Sequence, residues 1–221
     1  MTRRTMGVAA ILTTLAIVAV GLAVGFSVPA DMQLPIHWGL SGEPDRFSDK
    51  WTALLMPAVI IGGVSALLWF LPALEPRKEG LARSQGLYFA AWIGLLLVGA
   101  TVELAVVSVA LGWDVPTNRL ICIAVGTMLV LIGNQLGKSR SMYMIGVRTP
   151  WTLASEEVWI RTHRLAGKLM VAAGLVAILL AVLPVPTALM MQVMIVAVLA
   201  AGIIPVAYSW LLWRRECQPS E

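Results

Sequence analysis

Two histidines and twelve carboxylates bound the chemistry open to this chain. His163 lies in one helical stretch with Ser155 and Glu156, and the three can be drawn as a nucleophile with its base. Such polar residues recur in any solvated helix, and no Gly-x-Ser-x-Gly elbow, phosphate loop or histidine pair accompanies them. The reading is therefore not an enzyme, with no cofactor. His37 has Glu43 and Asp45 nearby, but one histidine with loosely spaced carboxylates lacks the ligand set of a zinc site. Those carboxylates are expected to cap turns or to pair with Arg46, so no metal is assigned.

Glu103 is the acid placed within an otherwise apolar stretch. An ionised carboxylate there costs at least about 2.5 kcal/mol, so it must face other helices or water. The alternative is that its helix ends early and leaves Glu103 near the surface. Arg148 precedes Thr149-Pro150, which holds the chain extended and can aim the guanidinium at a carboxylate of the following helix or at lipid phosphate.

The elements that position these residues follow from composition. The chain has 221 residues, of which 59% are hydrophobic and 13% charged, too apolar for a soluble domain of this size. A hydrocarbon core of about 30 Å needs roughly 20 apolar residues per helix. Uncharged stretches supply helices over 6–28, 51–74, 86–111 and 117–137. A last apolar run from Leu169 to Trp213 is too long for one crossing and breaks at Pro184-Val185-Pro186, giving 165–183 and 188–212. The fold expected is an all-α bundle of six transmembrane helices in one domain. The first is read as a retained helix, because its apolar part exceeds that of a signal peptide.

Sidedness follows from Lys and Arg: 13 of the 16 fall at the N-terminus, the 75–85 loop, the 138–168 segment and the C-terminus. Basic residues in short loops stay cytoplasmic, so both termini are expected inside, in a cytoplasmic (inner) membrane of a bacterium. The net charge of +4 then reflects topology and anionic lipid rather than nucleic-acid binding. Cys122 falls in the outer half of the fourth span and Cys217 in the cytoplasmic tail, so no disulfide is expected. Gly21-x-x-x-Gly25 and Gly133-x-x-x-Gly137 read as close packing within the chain rather than a dimer interface.

Two connections are too long to be simple turns. The outer one, 29–50, has an extended stretch over Leu34–Trp38 followed by glycine and proline turns, and a small folded cap is expected. The inner one, 138–164, has Thr152 or Ser155 placed to cap a cytoplasmic loop helix carrying Glu156 and Glu157 in its first turn. On that helix Glu156, Trp159 and His163 share one face, and Glu157, Arg161 and Arg164 another, with Glu157–Arg161 an i,i+4 pair. The surface is read either as folding against the bundle or as docking a partner.

The inner segment, from Gly133-Asn134 through Ile145-Gly-Val-Arg-Thr-Pro-Trp-Thr-Leu-Ala-Ser-Glu-Glu-Val-Trp159 to Thr162-His-Arg-Leu165 and Gly167-Lys168, resembles the signature of the SdpI-type immunity protein family. Leu34-Pro-Ile-His-Trp38 and Gly42-Glu-Pro-Asp-Arg46 look like the N-terminal membrane domain of unknown function that often accompanies it. Ala154 and Ala166 depart from the expected serine and glycine. The resemblance implies a membrane protein that protects its host against a secreted peptide toxin, and that in the best-known family system also holds a cytoplasmic repressor at the membrane. It marks Asn134, Arg148, Thr149, Pro150, Trp151, Thr152, Ser155, Glu156, Glu157, Trp159, Thr162, His163, Arg164 and Lys168 as the signature surface; His37, Glu43, Asp45 and Glu103 stand beside them, on their own chemistry, as outer-cap or intramembrane candidates. Implied partners are membrane lipid, the toxin and the repressor, with no direct nucleic-acid contact; the oligomeric state is left open. The alternative is a small peptide or lipid transporter or flippase, which calls for paired polar residues at the midplane.

Overall fold

A computed structural model describes residues 1–216; Cys217, and with it the expectation about a disulfide, lies outside them. Among the described residues six helices are long and apolar enough to cross a membrane. They are α1 (Arg3–Ser27), α2 (Lys50–Leu74), α4 (Gln85–Ala110), α5 (Thr117–Leu136), α7 (Glu156–Val182) and α8 (Thr187–Glu216). Two short helices, α3 (Lys78–Arg83) and α6 (Pro150–Ala154), and a hairpin of β1 (Gln33–Trp38) and β2 (Pro44–Asp49) complete the chain. This is the all-α, multi-pass membrane bundle that hydropathy predicts.

The helices pack in a sequence that follows the chain. α1, α2 and α4 form one group, α4 leans on α5, and α5 lies along α7, which α8 covers. The tightest seam is α5 on α7, where glycines meet glycines. A Cβ on Gly133 would lie 2.7 Å from the Gly167 carbonyl oxygen, and one on Gly126 2.7 Å from that of Gly174. Missing side chains let the two backbones touch, which is how helices gain contact where lipid supplies no hydrophobic drive. Gly21 similarly meets the Leu54 carbonyl, so both small-residue motifs serve packing inside the chain.

One end of the bundle gathers the helix ends that carry Arg3, Arg77 and Arg214, and is termed the basic end below. The opposite, hairpin end is closed by β1 and β2, which pair antiparallel with Gln33 opposite Asp49. Leu34 is fully buried against Val24, Leu54 and Val107, so the cap is anchored by a core residue. Gly42, at φ +85°, makes the turn that glycine adopts without strain, and its carbonyl accepts from Asn118 Nδ2 at 2.6 Å. The hairpin thereby ties α1 and α2 to the start of α5. Arg119 closes the same end, donating to the Ala181, Leu183 and Val185 carbonyls where α7 stops.

Two expectations change. The inner loop helix is not separate from the fifth span, because α7 runs unbroken from Glu156 to Val182. Its 27 residues extend about 40 Å, longer than a hydrocarbon core of about 30 Å, so its polar first turns stand clear of lipid. Charge moved the predicted start of the span to residue 165, whereas helical geometry continues through charge without interruption. α3 was not expected at all.

Candidate functional site

The signature segment forms a platform across the basic end, and its centre is a residue that sequence reasoning passed over. Glu75 follows the last turn of α2 and is 1% exposed. Its carboxylate accepts the backbone N–H of Arg77 at 2.8 Å, of Tyr143 at 3.0 Å and of Met144 at 2.8 Å. Hydrogen bonds to an ionised acceptor are the strong kind, and here they fix a stretch 68 residues away in sequence. The Arg77 guanidinium lies 4.6 Å above the Tyr143 ring, donates to the Leu153 carbonyl at 3.0 Å and also engages Ser141 Oγ. Ser84 adds a further tie, accepting the Arg140 N–H at 2.9 Å.

Beneath the platform lie Trp159 and His163, both fully buried and stacked with ring centroids 3.9 Å apart. The Val147 N–H donates to His163 Nε2 at 2.9 Å, so that nitrogen is the acceptor and Nδ1 carries the proton, given to the Trp159 carbonyl at 2.8 Å. Both ring nitrogens are thus engaged by backbone. Gly146, at φ +118°, crosses the rings so closely that a Cβ would lie 2.6 Å from His163 Nε2. Only glycine fits that backbone and that space. Trp159 Nε1 donates to Ser139 Oγ at 3.3 Å.

The Thr149-Pro150 step opens α6 with a reciprocal cap: Thr149 Oγ1 accepts the Thr152 N–H at 3.2 Å, and Thr152 Oγ1 the Thr149 N–H at 2.9 Å. Thr149 Oγ1 also lies 3.1 Å from Ser209 Oγ of α8, and Trp151 packs near Trp213. Ser155 caps α7 by accepting the Val158 N–H at 3.2 Å, and Glu156 and Glu157 occupy the first turn as expected.

These contacts sort the signature residues. Thr149, Thr152, Trp159, Thr162 and His163 are buried and hold the platform's shape; the Thr162 hydroxyl finds no partner among the described residues. Arg148, Glu156, Glu157, Arg164 and Lys168 are exposed along its rim, with Pro150 beside them, and Trp151 and Ser155 are half-buried. Asn134 is exposed on α5 and makes no contact with the platform's hydrogen bonds. Arg148 does not reach a carboxylate; it donates to the Tyr143 carbonyl at 2.7 Å, because the turn at Gly146 folds it back over its own loop. Glu157 and Arg161 form the expected pair, 2.6 Å apart and exposed. Ser155, Glu156 and His163 do not converge as a nucleophile and base: Ser155 is a cap, His163 is enclosed and Glu156 faces solvent.

Beside the rim opens a polar cleft of about 680 Å³, lined by Arg77, Lys78, Arg83 and Arg140 against Glu79 and Glu156. It was not foreseen, since its walls come from the 75–85 connection and the signature loop together. A Glu-Pro-Arg step directly after an apolar span is the signal that could have flagged it: an acid where the chain leaves the hydrocarbon needs partners.

At the hairpin end His37 Nδ1 lies 2.6 Å from Asp45 Oδ1, both about half exposed. Asp45 therefore pairs with His37 and not with Arg46, because the bulge at His37 turns its ring toward the returning strand. The Glu43 carbonyl accepts from Gly39 in the turn, while its side chain stays exposed. Among the described residues no three His, Cys, Asp or Glu side chains gather as a metal site. Asp49 caps α2, accepting the Trp51 and Thr52 N–H groups at 3.1 Å, and hydrogen bonding from Thr52, its side chain first and then its amide, holds the Asp49 carboxyl below the usual carboxylate range. Glu103 lies within an unbroken α4 and is 4% exposed, on the helix face of Val106, Val107 and Ala110 that packs toward α1 and α2. Neither of its oxygens has a partner among the described residues.

Comparison with known proteins matches both halves of the chain. A model of the SdpI/YfhL protein family covers residues 138–209, and one of a domain of unknown function (DUF1648) covers residues 12–61. Immunity protein SdpI of Bacillus subtilis (strain 168) is 28% identical over 184 residues, 83% of this chain and 84% of that protein. No solved structure matches. The family's segment contains the platform from Lys138 to Lys168, and the accompanying domain contains the hairpin and the first two helices up to Ile61. With the two matched in order and the likeness running through most of the chain, this protein is similar to the SdpI/YfhL protein family.

Proposed function

We propose that the chain is a membrane immunity protein: it protects its host from a secreted peptide toxin, with the hairpin end outward and the signature platform in the cytoplasm. The observation that carries this reading is the likeness to Immunity protein SdpI across more than four fifths of both chains. The positive-inside distribution supports the orientation, since all clusters of Lys and Arg other than Arg46, Lys50 and Arg119 lie at the basic end.

The mechanism needs no catalytic step. A toxin that binds one arrangement of the hairpin end or bundle more tightly shifts the molecule toward that arrangement, by no more than its differential affinity. The hairpin is bonded to both α2 and α5, and the platform to α2 through Glu75 and to α8 through Thr149, so both ends share rigid elements. The exposed rim of Arg148, Glu156, Glu157, Arg164 and Lys168 is the surface offered to a cytoplasmic repressor.

Deleting the gene from its host and challenging the cells with medium from sister cultures tests the reading. Survival should fall and return when the chain is supplied. Equal survival with and without the gene would remove the immunity assignment.

A further inference from the structure

The first two helices leave a groove open along the bundle's flank. It holds about 600 Å³ between α1 and α2 at the basic end, with Trp92 of α4 as its floor. Ile11 and Leu15 wall one side, Trp69 and Phe70 the other; the Trp69 ring seats against Gly7, and Gly62 leaves room by having no side chain. The floor's polar groups satisfy one another, because Trp92 Nε1 donates to Ser65 Oγ at 3.0 Å. Nothing inside asks for a polar ligand.

Its length and its mouth are more specific. From Arg4 to Leu15 the groove follows eleven residue steps of α1, about 16 Å. That is half of a hydrocarbon core of about 30 Å, the depth of one leaflet. Arg4 lines the groove at the basic end, and among the described residues no acid lines it. Arg3 lies next to it, 4.7 Å above the Trp69 ring, and shares the adjoining cleft with Lys78. Two cations, Arg4 in the lining and Arg3 over Trp69, thus stand at the mouth.

We propose that this groove holds one acyl chain of an anionic phospholipid from the leaflet at the basic end, with the phosphate held at Arg4. Charge argues against a second copy as occupant, since a symmetric pairing through α1 would bring Arg3 and Arg4 of both copies to the same level. The inference stands apart from the immunity reading, which says nothing about lipid selectivity.

The test uses the full chain, purified in detergent, incubated with phosphatidylglycerol or phosphatidylcholine and examined by native mass spectrometry. A Cβ on Gly62 meets only Thr14 Cγ2, at an ordinary 3.6 Å, so Gly62→Leu grows into the groove without moving backbone. The wild type should retain one phosphatidylglycerol in preference to phosphatidylcholine. Gly62→Leu should lose that lipid, and Arg4→Gln should weaken its retention about fivefold and erase the preference. Equal retention of both lipids by the wild type, or undiminished retention by Gly62→Leu, would overturn the proposal. So would a wild-type dimer that Gly62→Leu separates, which would give the groove to a second copy. Should Gly62→Leu fail to accumulate, Arg4→Gln decides alone: a preference lost supports the site, and one unchanged refutes it.

Discussion

Glu75 organises more of the basic end than any residue the signature contains, because one carboxylate satisfies three backbone N–H groups from two segments. Glu75→Ala should strand these donors at about 1–3 kcal/mol for each buried group left unpaired, visible as a lowered melting temperature and faster hydrogen exchange at Tyr143 and Met144. Gly146→Ala places a methyl group against His163 and forces an unfavourable φ, which should cost about 1–3 kcal/mol. A histidine resonance unchanged in Gly146→Ala would contradict the close crossing. None of this was legible in the sequence. Trp159 and His163 were placed correctly on one helix face, but which side that face met depended on a loop closing from a distant connection. Asp45 likewise had two neighbours able to donate to it, and strand register rather than spacing chose His37.

At the scale of elements, hydropathy revealed the six helices because bilayer thickness dictates a length that composition displays. It misplaced the start of α7 because a helix can continue beyond the hydrocarbon, where charge is no obstacle. The α5–α7 seam was only half visible: Gly133 and Gly137 were recognised, while Gly126, Gly167 and Gly174 acquire meaning only once the helices face each other. Gly133→Leu should therefore separate the two helices and destabilise the bundle, detectable as a lower thermal midpoint, while Gly63→Leu, with open space around it, should not. The junction of the hairpin with α2 carries a pH dependence. Asp49 has its carboxyl lowered by the Thr52 side chain and then by the amides it caps, so its contribution is complete above the ordinary carboxylate range and is lost as pH falls through the lowered value. Amide exchange at Trp51 and Thr52 should accelerate in acid for the wild type, whereas Asp49→Asn, which keeps an acceptor, should lose that dependence.

Across the whole molecule two ends are joined by long helices, and the sides proposed for them rest on charge. Ser41→Cys should react with a membrane-impermeant maleimide in intact cells, while Lys138→Cys should react only after lysis; the reverse pattern would invert the topology. In the proposed device a change at one end must reach the other, and Arg148 is the best probe of the rim because its side chain is exposed and bonded to the Tyr143 carbonyl. The most direct measurement is survival of gene-deleted host cells, challenged with sister-culture medium, when supplied with the wild type or with Arg148→Gln at equal membrane levels. The account predicts that the wild type restores survival and that Arg148→Gln does not. Deleted cells that survive as well as their parent, or full protection by Arg148→Gln, would contradict it.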